Sequence, residues 1–166
     1  MSQEIINVSL KEFLRTGIFG TIKFGMSSHK IQELLGTPDF VFTGSRSTKP
    51  TGFEYGDVEF YFISTKDNRL CAIYLDEFDV PKGNQILNID AWQLRSGKSQ
   101  AEIETALIQA GIKFQPTKMP DPTMNGIVTE GGVQLGFIFE ADEFSAPKGL
   151  YNISRELRAE MEIVAR

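Results

Sequence analysis

Phe24-Gly25-Met26-Ser27-Ser28-His29-Lys30-Ile31-Gln32-Glu33-Leu34-Leu35-Gly36 is one half of a motif that this chain carries twice. A shift of 72 residues lays Gly25 on Gly97, Ser27 on Ser99, Ile31 on Ile103 and Leu35 on Leu107. A second match follows at a shift of 75, where Gly56-Asp57-Val58-Glu59-Phe60-Tyr61-Phe62-Ile63 lies over Gly131-Gly132-Val133-Gln134-Leu135-Gly136-Phe137-Ile138. In each copy a serine after a glycine offers its hydroxyl to the free amides of a first helical turn, and the apolar residues beyond it recur at helical spacing. The later segment alternates instead: Val58, Phe60 and Phe62 face one way, Asp57, Glu59 and Tyr61 the other. The expectation is two tandem copies of a helix followed by antiparallel strands, an α+β fold with helices on one face of a curved sheet.

Repeat 1 is read as about 18–78 and repeat 2 as about 91–153. In the first, Phe40-Val41-Phe42, Phe53 to Ile63 with Gly56 as a bulge or turn, and Arg69 to Leu75 are the strands, separated by a polar Gly44-to-Gly52 loop and an Asp67-Asn68 turn. In the second, strands are expected near Ile112 to Gln115, Gly126 to Glu130, Val133 to Glu140 and Gly149 to Ile153, with Asn125-Gly126 as a turn. Ile86-Leu87-Asn88-Ile89 reads as a short strand in the connection. Two further helices frame the repeats. Ser9 and Glu12 form a capping-box pattern that opens an N-terminal helix over 9–16, stopped by Gly17, and the stripe Leu157, Met161 and Val164 predicts a closing helix over 154–164. A repeat of some 70 residues buries a marginal core by itself, so the two are expected to fold as a single domain over 1–166.

The repeat motif, continued by Thr37-Pro38-Asp39 and by Tyr55-Gly56-Asp57-Val58-Glu59-Phe60-Tyr61-Phe62, resembles two related bacterial groups. These are the SmpA/OmlA outer-membrane lipoproteins and the tandem β-lactamase inhibitor protein. The resemblance covers residues 18 to 78 well and residues 91 to 153 loosely, because Lys98 stands where the first copy has Met26 and the second copy lacks the Gly-Thr-Pro-Asp ending. What the tandem inhibitor implies is a BLIP-like fold and a sheet face that clamps a partner protein without doing chemistry.

Composition narrows the classes of function. The 166 residues hold 17 Lys and Arg against 22 Asp and Glu, a net charge of -5, and the basic residues are scattered. Nucleic acid is therefore not an expected partner, and a basic protein is favoured. Neither a basic segment followed by an apolar one at Met1 to Asn7 nor any run of membrane-spanning length is present, which gives the expectation of a cytoplasmic protein with no membrane association. The single Cys71 lies in Leu70-Cys71-Ala72-Ile73-Tyr74-Leu75 and reads as a buried thiol.

Chemistry-bearing motifs are few. Gly97-Lys98-Ser99 ends like a phosphate-binding loop, yet the glycine required five residues earlier is Trp92. The first copy lacks the lysine altogether, so the shared element is a helix cap. His29 is the only histidine and has no second histidine or nearby cysteine, so no metal site, cofactor or catalytic residue is expected. Asp76, Glu77 and Asp79 form one acidic cluster and Glu140, Asp142 and Glu143 another, which could line a small-ligand or enzyme site in the crevice between repeats. Alternation instead sends Glu59, Tyr61 and Tyr74 to the outer sheet face. The leading expectation is a non-enzymatic protein-binding module, an inhibitor or immunity-type factor, using those three residues. The alternatives are the crevice site and a homodimer subunit with its sheet face self-paired.

Overall fold

The structure, a computed structural model, describes residues 3–44, 50–63, 67–139 and 148–157. Among these residues the chain is α+β. Its elements run β1 (Ile6–Ser9), α1 (Leu10–Thr16), α2 (Ser28–Leu35), β2 (Phe40–Thr43), β3 (Pro50–Tyr55), β4 (Val58–Ile63), β5 (Arg69–Leu75), β6 (Leu87–Asp90), α3 (Gln100–Gln109), β7 (Phe114–Lys118), β8 (Met124–Thr129), β9 (Gln134–Ile138) and β10 (Gly149–Glu156). Eight strands form one antiparallel sheet in the order β2-β3-β4-β5-β10-β9-β8-β7, and β1 pairs with β6 in a separate parallel ribbon. No helix among the described residues is long and apolar enough to cross a membrane.

Each helix begins where its serine can satisfy an orphan amide. Ser27 Oγ accepts from the Lys30 amide at 3.1 Å. Ser99 Oγ accepts from the Glu102 amide at 3.2 Å, while the Ser99 amide donates to Glu102 Oε2 at 2.8 Å, a complete capping box. In α1 only half of the predicted box forms. Ser9 Oγ accepts from the Glu12 amide, but the Glu12 carboxylate turns to Arg15 at 2.6 Å, because an ion pair within the turn competes for it. Gly17, at φ 73, closes α1 in the left-handed conformation that glycine adopts at little cost.

The two glycine-serine loops are tied down alike. Gly25 N donates to Leu70 O and Leu70 N to Met26 O; Gly97 N donates to Leu150 O and Leu150 N to Lys98 O. These bonds lock each helix start to the fourth strand after it, β5 for α2 and β10 for α3. They also occupy the Gly25 and Gly97 amides, so the loops are structural clasps.

The core is continuous across the sheet. Val58, Phe60 and Phe62 face inward with Phe53, Ile73 and Leu75, and Val133, Leu135 and Phe137 face inward with Ile127, Leu150 and Ile153. Leu10, Phe13 and Leu14 of α1, Ile31 and Leu35 of α2, and Ile103 and Leu107 of α3 complete the same cluster. Burying each of these large side chains contributes roughly 1.5–3 kcal/mol. Phe13, Phe19 and Phe60 meet edge to face, with centroids 5.0 and 5.9 Å apart.

Several boundaries differ from expectation, each for a local reason. Pro50, Thr51 and Gly52 belong to β3 instead of a loop; Pro50 is its first residue, at a register shift, where its missing N–H costs no regular ladder bond. Asn125 and Gly126 are not a turn but sit inside β8, because ladders to β7 on one side and β9 on the other hold them extended, and Met119 takes the space a Cβ would fill at Gly126. The helix predicted from Ser154 does not start there. Ser154, Arg155 and Glu156 continue β10 and pair with Tyr74, Ile73 and Ala72, because the β5 edge offers a full ladder. The remainder of that predicted helix, 158–164, lies outside the described residues. Strand β1 was not anticipated: its partner β6 is 81 residues away in register, as in Ile6 with Leu87, and local sequence carries no sign of that.

Candidate functional site

The outer sheet face is built by the residues that alternate with the core. On β4 these are Glu59 and Tyr61; register sets Glu59 between Glu54 and Tyr74, and Tyr61 between Gly52 and Ala72. The three residues expected from alternation therefore do lie together. Tyr61 Oη donates to Glu59 Oε2 at 2.7 Å, and the Tyr61 and Tyr74 rings meet edge to face at 5.6 Å with their planes 88° apart. Phe42 stacks on the opposite side of Tyr61 at 5.6 Å, and Phe40 meets Phe42 at 5.1 Å. Gly52 makes this stack possible: a Cβ there would stand 2.9 Å from Phe60 O and 3.1 Å from both the Phe42 and Tyr61 rings. A row of four aromatic rings thus runs from the sheet edge at β2 towards its middle.

Carboxylates border the row. Glu59, Tyr61, Tyr74 and Asp76 line a shallow hollow of about 230 Å³. Glu59 and Asp76 also line an adjoining one of about 300 Å³, completed by Glu54, Gly56, Asp57, Glu77 and Tyr151. Tyr151 belongs to β10, so the second hollow straddles the junction between the two halves of the sheet. Asn152 Nδ2, also on β10, donates to Asp76 Oδ1.

The electrostatics reflect crowding of like charge. Burial holds the Asp76 carboxyl above its ordinary pKa; the Asn152 hydrogen bond opposes this, and the charges of Glu59 and Glu77 add to it. Glu54 is raised by burial and then by Glu59, Asp39 and Asp57. Tyr61 is raised by burial and by holding its proton towards Glu59, and Tyr151 by burial and the charges of Glu77, Asp76 and Asp121. Among the described residues, no Lys or Arg lines either hollow. The ion pairs among the described residues engage Glu12, Glu33 and Asp67, none of which belongs to this group.

Of the acidic residues singled out in sequence, Asp76 and Glu77 reach the site. Asp79 is exposed and lines neither hollow; its backbone carbonyl accepts from the Ser96 amide. Glu140, Asp142 and Glu143 lie outside the described residues. No group of three or more His, Cys, Asp or Glu among the described residues is arranged to hold a metal ion. His29 is solvent-facing and close to Glu33 at 3.1 Å, and the Cys71 thiol is buried with its Sγ donating to Tyr61 O. Sequence reasoning missed Glu54, Tyr151 and Asn152, which only strand register brings towards Asp76, and it read Asp57 as outward without making it a site residue. Phe40 and Phe42 were legible as strand residues, though not as neighbours of Tyr61.

No family profile matches the chain, and no curated protein does. Among solved structures, a DUF4309 family protein, YjgB, from Bacillus subtilis is similar to it over 79% of this chain and 78% of that one, with 15% sequence identity and a TM-score of 0.40.

Proposed function

We propose that the chain is a non-enzymatic, BLIP-like protein-binding module built from two tandem copies of a helix-and-sheet unit, and that the outer face of its first copy docks another protein. The duplication is supported by the matching clasps at Gly25 and Gly97, and by the register at the seam. Tyr74 pairs with Ser154, Leu75 with Ile153 and Ile73 with Arg155, so positions 80 residues apart are related by an approximate two-fold through the Tyr74–Ser154 pair. The docking role is carried by one observation: four aromatic rings stand in a row on the solvent face of the sheet beside carboxylates without an ion-pair partner among the described residues. Rigid amphipathic rings with charged neighbours are the composition of interface hot spots. An inhibitor or immunity-type factor is the class of module this fits.

Comparing Tyr61→Ala/Tyr74→Ala with the unaltered chain as bait in host extract tests the reading. The expected outcome is a partner held by the unaltered chain and weakened about 30-fold or more by the double variant, with thermal unfolding of both baits still cooperative. Equal retention by both baits overturns it. Self-association is a second reading, favoured by the outer edge of β2, which no strand pairs among the described residues and where Phe40 is 55% and Val41 43% exposed. Light scattering that returns a dimer, lost in Val41→Lys, would select it.

A further inference from the structure

The docking face has a chemical preference that its walls define. The rings of Tyr61 and Tyr74 meet edge to face at 88°, which makes an aromatic corner on the hollow that Glu59 and Asp76 also line. Glu59 and Asp76 stand at that corner, each with one carboxylate oxygen engaged, Glu59 Oε2 by Tyr61 and Asp76 Oδ1 by Asn152. Neither has a cationic partner among the described residues, and the chain as a whole carries -5. An aromatic face attracts a cation through its quadrupole, and a planar guanidinium stacks on such a face while its N–H fork reaches carboxylates at the ring margin.

We infer that the corner formed by Glu59, Tyr61, Tyr74 and Asp76 receives an arginine side chain of a basic partner protein. This rests on the docking reading above and commits it to one occupant by complementarity of charge and shape. Apolar side chains are poor occupants because they would leave two carboxylates desolvated without a counter-charge. Lysine is second to arginine, as an ammonium cannot both stack and bridge two carboxylates.

N-acetyl-arginine amide, titrated into the full chain while the tyrosine ring resonances are followed by NMR, provides the probe, with N-acetyl-citrulline amide as its uncharged isostere. Saturable shifts at Tyr61 and Tyr74 are expected with the arginine probe alone, weakened about tenfold in Glu59→Gln and in Asp76→Asn. Equal binding of citrulline, or arginine shifts that rise without saturating, overturns the inference. The two readings fail separately. A partner lost by Tyr61→Ala/Tyr74→Ala but kept by Glu59→Gln/Asp76→Asn preserves the docking face and refutes the arginine corner, whereas a partner kept by both double variants refutes both.

Discussion

The two halves of the sheet agree on the inside and disagree on the outside. Inward, the 75-residue sequence shift lays Val58, Phe60 and Phe62 over Val133, Leu135 and Phe137, and all six are buried. Outward, the same shift lays Tyr61 over Gly136, which sits opposite Gly126, and Met119 and Met124 lie over that pair of glycines. The first half thus presents stiff rings and the second flexible thioethers, which adapt their shape but fix little. A common core constrains one face of each strand. The other face answers only to what it meets, so that is where a difference in function between the halves would be written.

The comparison can be broken first at the core. Phe60 and Leu135 are both fully buried, so Phe60→Ala should cost about 3–5 and Leu135→Ala about 2–5 kcal/mol in urea unfolding. A cost at Leu135 near zero would mean that the halves do not share one core. The outer faces should respond unequally. Gly52→Ala drives a Cβ against the Phe60 carbonyl and two packed rings, for a loss of about 1–3 kcal/mol. Gly136→Ala should cost less, because its nearest contacts are the mobile methyl ends of Met124 and Met119. Reversed ranking in thermal melts would contradict the stiff-versus-flexible contrast.

Capping sharpens it further. Ser99→Ala and Ser27→Ala each remove one hydroxyl acceptor from a helix start, and the backbone amide at 99 keeps its bond to Glu102, so each should lose about 0.5–2 kcal/mol. The smallest effect is one of sign. Asp76 binds its proton more tightly folded than unfolded, so it favours the fold below the ordinary carboxylate range, and that contribution is lost as pH climbs through its raised pKa. Asp76→Asn should therefore be at least as stable as the parent at pH 7 and show a flatter rise in urea midpoint on acidification. A large loss at pH 7 would show that the charged Asp76–Asn152 contact outweighs its burial.

Much of the fold was legible because it is local. Caps at Ser9, Ser27 and Ser99 and the alternation from Val58 to Phe62 each depend on residues within a few positions. Errors fell where a distant partner overrode a local signal: Asn125-Gly126 has the composition of a turn but is held straight by β7 and β9, and Ser154 to Glu156 is drawn into strand by β5. The site divides the same way. Glu59, Tyr61 and Tyr74 followed from alternation, whereas Glu54, Tyr151 and Asn152 join them only through strand pairing, which period-2 patterning cannot rank.

The seam between β5 and β10 also sets a timetable. Leu75 and Ile153 are hydrogen-bonding neighbours 78 residues apart, so during synthesis the β5 edge waits about 4–16 s at ordinary elongation rates for its partner. That edge, Leu70-Cys71-Ala72-Ile73-Tyr74-Leu75, is among the most apolar stretches of the chain, and until β10 arrives it is an open template for another nascent strand. The yield of this protein should therefore fall with synthesis rate and crowding of its own polysomes more than with any loss of equilibrium stability.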